Sequence, residues 1–476
     1  MRKNIAKNYI YNMTYEVLKI IVPILTTPYL ARVLGAENIG IYSYTLSIAS
    51  YFILFGSLGI SMYGQREIAY VQENKYERSK IFYEIVILRF ITLAISLIVF
   101  YFCFCINGEY SIYYKILFFE IFAVGLDIGW FFQGIEEFKK IVIRNTLVKV
   151  IGMICIFLFV KKQNDLYIYY IIFVLTTLLG NISFWLYIPK YTQKIDIKDL
   201  KIFRHIIPNI SLFIPQVAIQ VYTVLDKTMI GMIISEKSEV GYYEQAEKII
   251  QMLLTIVTSF IGVIIPRASN SYANGEKQKL KEYMNSSFSV IMMLAFPVMF
   301  GLISISKKFV PIFYGEGYDK VSLLINIMSP TIVIVGISNI IGSAYLIPTK
   351  KDKKYTSSII IGAVVNFILN AIFIKKYSSE GASVATVIAE FMVTSTQLIL
   401  VKEDIKIKEI FKMTYKYFIM SIIIFIVSLI IGSLIKNSII SIVIQVIISC
   451  LIYFSGLMIL KDKFVLKICN KIVTKM

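Results

Sequence analysis

Of 476 residues, 57% are hydrophobic and only 17% charged, too few charges to clothe an ordinary soluble surface. The formal net charge of +19 is spread over many short segments rather than gathered on one domain, which argues against nucleic acid as a partner. Five cysteines without metal-like spacing and a single histidine, His205, leave no basis for a disulfide framework, a metal centre or histidine-based catalysis.

A helix needs about 20 apolar residues to cross a hydrocarbon core of roughly 30 Å. Stretches of that kind predict fourteen spans, at 9–31, 39–64, 81–106, 112–134, 142–160, 166–189, 206–234, 240–265, 284–306, 321–348, 356–374, 380–401, 413–435 and 438–460. The expected fold class is all-α, a polytopic membrane protein. The basic stretch MRKNIAKN before the first span looks like the start of a secretion signal. The apolar run after it is too long for one, holds Pro23 and Pro28, and has no small-residue cleavage site, so it reads as a retained helix. Lys and Arg accumulate in cytoplasmic loops. With the N-terminus inside and strict alternation, the inside connections hold 33 Lys and Arg and the outside ones 10, so both termini are predicted to be cytoplasmic.

An ionised residue near the middle of a span costs roughly 2.5 to 3.5 kcal/mol, and such residues face a bundle interior or a watery cavity. In chain order they are Glu16 and Lys19 in the first span, Arg89 in the third, Glu120 and Asp127 in the fourth, Lys149 in the fifth, Asp226 and Lys227 in the seventh and Glu390 in the twelfth. Asp226 lies roughly 12 Å of helix from the outer end of its span, too far for a short side chain to reach water. As a set these residues predict a hydrated, positively biased cavity; singly, each also reads as half of a structural ion pair. Arg66 and Arg267, in the loops after spans two and eight, read either as topology charges or as an inner gate. The outside connections are short and the inside ones hold no phosphate-binding loop, so neither an outer catalytic domain nor nucleotide hydrolysis fits.

The stretches ENIGIYSY (37–44) and SEVGYYEQ (238–245) align at an offset of 201, Gly40 on Gly241 and Tyr42 on Tyr243, and the same offset lays Arg66 on Arg267 and Lys80 on Lys281. Lysine pairs at 139–140 and 161–162 match 353–354 and 375–376 at an offset of 214. A repeat of six crossings re-enters from the same face, so the expected architecture is two parallel six-helix bundles, 1–190 and 191–401, with two more helices and a tail at 402–476. Pro23 and Pro28, and Pro208 and Pro215, fall in the first helix of each bundle. Kinked helices in corresponding positions point to binding sites and hinges.

The stretches TTPYLARVLGAENIGIYSY (26–44), LGISMYGQREIA (58–69), WFFQGIEEFKK (130–140) and LDKTMIGMIISEKSEVGYYEQAEKI (225–249) resemble those of bacterial polysaccharide-unit flippases, the O-antigen and capsule repeat-unit transporters of the multidrug/oligosaccharidyl-lipid/polysaccharide exporter superfamily. In length, span count and motif order the likeness covers nearly the whole chain. It implies a transporter of the bacterial cytoplasmic membrane, not an enzyme, with two six-helix lobes in a V around a central cavity, two extra helices, and no cofactor or resident metal. The implied cargo is an undecaprenyl-diphosphate-linked oligosaccharide moved from the inner to the outer leaflet, with membrane lipid as the other partner. Cations would meet the diphosphate. Lys227 lies within a matching motif, Arg89, Lys149 and Lys19 are expected from position alone, and Arg66 and Arg267 are expected to gather the headgroup or gate it.

Alternating access by rocking of the lobes is the expected mechanism. Membrane potential favours outward movement of two negative charges by about 4.6 kcal/mol at about 100 mV. Asp226, Asp127, Glu120 and Glu390 are candidates for coupling to H+ or Na+, or for structural ion pairs, and a glycan polymerase complex is a candidate partner. The rival reading is a drug or organic-cation exporter of the same fold. A more distant one is a membrane glycan polymerase or ligase, which would need a substantial outer catalytic loop.

Overall fold

The computed structural model describes residues 2–405, 407–462 and 464–466, and among these the side chains of all but 2–17, 19, 20, 211, 212, 214, 215, 218, 219, 221, 222, 407–409 and 411. The expectations placed on Glu16, Lys19 and Pro215 fall outside the described side chains. Among the described residues every regular element is helical. The chain divides into two compact units, Met1–Thr228 and Met229–Met476.

The first unit contains α1 (Arg2–Ser57), α2 (Ile60–Tyr70), α3 (Lys75–Phe100), α4 (Ser111–Gly125), α5 (Gly129–Gly134), α6 (Phe138–Phe159), α7 (Leu166–Trp185), α8 (Ile188–Tyr191) and most of α9 (Ile206–Ile233). The second holds α10 (Ser238–Thr258), α11 (Ile261–Ala273), α12 (Lys277–Tyr314), α13 (Asp319–Met328), α14 (Thr331–Ile341), α15 (Asp352–Leu400), α16 (Ile407–Leu434) and α17 (Ser438–Ile459). Ten helical runs among the described residues are long and apolar enough to cross a membrane, or eleven with the bent pair Ser238–Thr258 and Ile261–Ala273 taken as one. The all-α membrane architecture is as expected, but length and composition do not reproduce a count of fourteen. The two longest of the ten runs, Ile21–Tyr70 and Asp352–Leu400, each contain a non-helical residue within one continuous helix.

Those breaks have local causes. Within α1 the helix interrupts at Gly35, whose φ of 79° is left-handed and costs a side-chain-free residue little. Within α15 the interruption falls at Ser378, with φ 49°, and the next residue is held firmly: the Glu239 carboxylate accepts from Ser379 N at 3.2 Å and Ser379 Oγ at 2.6 Å, while Lys320 pairs with it at 2.8 Å. In the first unit Asn38, 201 positions before Glu239, donates to Gln163 O at 3.0 Å in the turn between α6 and α7. α2 and α11 likewise start 201 residues apart, at Ile60 and Ile261. A polar residue at each of two positions 201 apart is thus tied to a later helix junction in its own unit, Asn38 to the α6–α7 turn and Glu239 to the break in α15.

Packing inside the first unit explains two of the motifs. WFFQG forms α5, and Trp130, Phe131 and Phe132 join Phe82, Ile60, Tyr63 and Phe184 in one buried cluster. α2 can press on α5 because Gly64 has no side chain: a Cβ there would lie 2.5 Å from the Trp130 ring, and one on Gly134 would lie 2.7 Å from Ile68. In the second unit α16 and α17 are tied to α12. Lys308 donates to Gly432 O at 2.5 Å, Ile435 O at 2.7 Å and Ser441 Oγ at 2.9 Å, and Tyr453 donates to Met293 O at 2.8 Å.

Candidate functional site

α4 stops at Gly125 and α5 starts at Gly129. A break within apolar surroundings exposes carbonyls that only protein can satisfy. Side chains from two other helices do so. Arg89 on α3 donates to Asp127 O at 2.6 Å and Val124 O at 2.7 Å, Asn181 on α7 to Ala123 O at 2.7 Å, and Trp185 to Leu126 O at 2.9 Å. The Asp127 carboxylate accepts from Gly129 N at 2.9 Å, starting α5, and pairs with Arg144 of α6 at 3.5 Å. Arg144 also binds Asn181 and lies 4.3 Å over the Phe184 ring. Arg89, only 3% exposed, and Asp127 are therefore brought together at a helix break, with Arg144 as a third member. The sequence does not single out Arg144, which stands at the edge of the predicted span 142–160.

The segment Asp226–Thr228 meets the second half of α1. Asp226 is 6% exposed and Lys227 half-buried, and Thr228 Oγ1 lies 2.8 Å from Ser47 Oγ and 3.2 Å from Tyr51 Oη. Tyr51 is within electrostatic range of both Asp226 and Lys227. Glu120 on α4 is 4% exposed, and its Oε2 has no hydrogen-bond partner among the described residues. Lys149 on α6 and Glu390 on α15 are half-buried, the latter within electrostatic range of Tyr355. Arg66 is exposed, turned onto Glu67 at 3.2 Å and over the Tyr63 ring at 5.4 Å, and Arg267 is exposed on α11. The side chain of Lys19 is outside the described set.

Sequence reasoning missed a fully buried carboxylate that accepts four hydrogen bonds. Glu84 on α3 is fully buried, and it accepts from Lys201 N at 2.6 Å, Arg204 Nε at 3.0 Å, Arg204 Nη2 at 2.6 Å and His205 Nε2 at 2.7 Å. His205 Nδ1 lies 2.7 Å from the Tyr63 hydroxyl. The stretch that leads into α9 is thereby clamped to α3. Its only sequence signal was an acidic residue near the end of a span, facing a basic segment more than 100 positions away. Burial pushes the His205 imidazole below its ordinary value, outweighing the hydrogen bond and charge of Glu84, while Arg204 adds to the lowering. The neutral ring then donates from Nε2 to Glu84 and accepts at Nδ1 from Tyr63. A histidine with a depressed folded pKa gives up stability as pH falls from its unfolded value toward the folded one. Wild-type thermal stability is expected to decline below about pH 6.5, and this component should vanish in His205→Gln when melting temperature in detergent is followed against pH.

In the second unit an apolar groove of about 420 Å³ runs among α10, α12, α16 and α17, with Leu253, Pro297, Ile424, Val446 and Phe454 in its walls and Gln445 and Ser428 at one place. Among the described residues no group of three or more His, Cys, Asp or Glu side chains is placed to hold a metal ion.

Comparison with known proteins gives a consistent picture. Residues 5–272 match the family described as polysaccharide biosynthesis protein, and residues 142–455 match the family lipid II flippase MurJ. A protein of Escherichia coli strain K12 named "Putative O-antigen transporter" is 24% identical over 415 residues, covering 84% of this chain and 97% of its own. A Haloferax volcanii protein named "Probable low-salt glycan biosynthesis flippase Agl15" is 26% identical over 168 residues, 35% of each chain. A solved structure of the lipid II flippase MurJ in an inward closed conformation superposes with a TM-score of 0.75 at 20% identity, covering 97% of this chain and 100% of that one, a likeness of fold.

Proposed function

Because the chain belongs to the polysaccharide biosynthesis protein family of the multidrug/oligosaccharidyl-lipid/polysaccharide exporter superfamily, we propose that this membrane flippase moves an undecaprenyl-diphosphate-linked oligosaccharide from the inner to the outer leaflet of the bacterial cytoplasmic membrane. The observation that carries this reading is the one charged pair in the sequence of α9: Asp226, 6% exposed, beside Lys227 and Thr228, with Thr228 against Ser47 and Tyr51. An amphiphile of this kind needs a cation for its diphosphate and an apolar track for its tail. Lys227 supplies the first, with Lys149 and Lys19 as further candidates. The groove lined by Leu253, Pro297 and Phe454 fits the second. Arg89 acts on the site from a distance, by fixing the α4–α5 break.

Both termini lie in the cytoplasm on this reading, Arg66 and Arg267 gather the headgroup or gate it at the inner face, and the lobes, 1–190 and 191–401 with the appended 402–476, rock in alternating access. Outward movement of two negative charges is helped by the membrane potential, worth about 2.3 kcal/mol per charge at about 100 mV. Glu120, with one carboxylate oxygen unpartnered and buried, is the first choice for a coupled H+ or Na+, ahead of Asp226, Asp127 and Glu390. A glycan polymerase complex is the expected receiver of the product.

The test is reconstitution in liposomes, following a fluorescent lipid-diphosphate sugar and, in parallel, an organic cation. Movement of the lipid, with Lys227→Ala reduced roughly ten-fold or more by loss of a charge-assisted contact while its melting temperature stays unchanged, is the expected result. Movement of the organic cation alone would replace the reading with drug export.

A further inference from the structure

Tyr272, Lys277, Lys281, Asn285, Tyr345 and Lys351 surround a cavity of about 320 Å³ in the second unit, where α11 ends and α12 begins. Lys277 is the first residue of α12 and Lys281 follows at the i, i+4 spacing that puts both on one helix face. The positive end of this 38-residue helix adds to their charge. Lys351, just before α15, brings a third cation, 3.4 Å from the Tyr345 hydroxyl and 5.2 Å over its ring. Against these three stands Asp404, the one carboxylate among the described residues of the lining, and it is bonded to Lys351. The neighbouring Glu276 is engaged with Lys279 at 2.7 Å.

Burial alone would raise the Asp404 carboxyl, but Lys351, Tyr345 and Lys354 outweigh it and hold it below its ordinary value, so it is ionised at neutral pH. Asp404 thus occupies the place on Lys351 that an oxygen of an incoming anion would take. Leu280, Met284, Ile405 and Ile410 supply the apolar part of the same lining. Cations beside apolar side chains suit a phosphate group carried on an apolar body.

We propose that this cavity is a phosphate-binding site in which the phosphate or diphosphate of a lipid headgroup, or of a soluble phosphate ester, replaces Asp404 on Lys351 and is held by Lys277 and Lys281. Asp404 lies in the turn that leads into α16. For the lipid source the inference rests on the reading of the chain as a carrier of lipid diphosphates.

The test uses the full-length protein in phosphatidylcholine nanodiscs, titrated with inorganic diphosphate and, in a second arm, loaded with undecaprenyl diphosphate. The double variant Lys277→Gln/Lys281→Gln should weaken diphosphate binding at least about ten-fold through two lost charge-assisted contacts. Asp404→Asn should strengthen it several-fold, since the competing anion is gone, and rising salt should weaken it in all forms. Opposite signs in the two variants cannot come from loss of fold. Unchanged or weaker binding in Asp404→Asn, or wild-type binding in the double variant, overturns the site. Tighter binding of the polyprenyl form than of inorganic diphosphate, with the same signs, assigns a lipid headgroup; equal affinity assigns a soluble anion and removes the link to lipid transport. If the variants behave as expected but the wild type moves no lipid diphosphate in liposomes, the flippase reading fails and the site stands. If the wild type moves lipid and the variants bind as it does, the site fails alone.

Discussion

Arg89→Met is expected to lower the stability of the purified protein by about 3 to 5 kcal/mol, the usual cost of deleting one partner from a buried charged network. It leaves Asp127 O without its side-chain donor and Val124 O with only the Asp127 N–H, at a helix break in apolar surroundings. Arg89→Lys keeps one charge but not the two-pronged geometry, so an intermediate loss is expected. Thermal unfolding in detergent, followed by fluorescence-detected size exclusion, measures both. A direct role in substrate binding predicts the reverse: a normal melting curve with impaired transport. Position along a span made Arg89 look like a diphosphate ligand. The carbonyl cap around it makes stability the first property to suffer.

Glu84→Leu should release the stretch before α9. The substitution leaves Lys201 N, Arg204 and His205 without their common acceptor. A loss of about 3 to 5 kcal/mol is expected at a fully buried carboxylate. Because the clamp holds one short segment, local opening should rise before global unfolding does, and trypsin should cut after Lys201 and Arg204 roughly a hundred-fold faster than in wild type, as about 3 kcal/mol of local stability implies. Equal cleavage rates would show that other contacts hold the segment. Glu84→Gln keeps an acceptor of the same shape and should fall between the two.

Reading these residues from sequence succeeded where the signal was local. The long apolar runs and the family stretches, WFFQGIEEFKK among them, each carry their meaning within a few neighbouring positions. It failed where the partner was remote. Glu84 meets Arg204 across 120 positions and Val124 meets Arg89 across 35. Arg144 lies only two residues inside the predicted span 142–160 and reads as a charge of its edge, whereas α6 begins at Phe138 and brings that side chain onto Asp127. The lysines of the second unit's cavity were counted as topology charges, and nothing along the chain reveals that Lys277, Lys281 and Lys351 share one chamber with Asp404.

What the sequence determined alone was therefore the membrane-spanning character, the helical class and the family, since hydropathy and short motifs act over a few turns of chain. Tertiary structure decided which intramembrane charges cap broken helices and which stand apart, because a carbonyl freed by a break takes whichever donor packing brings within hydrogen-bond reach. In an apolar medium that choice is strongly enforced, and it is made between helices rather than along them.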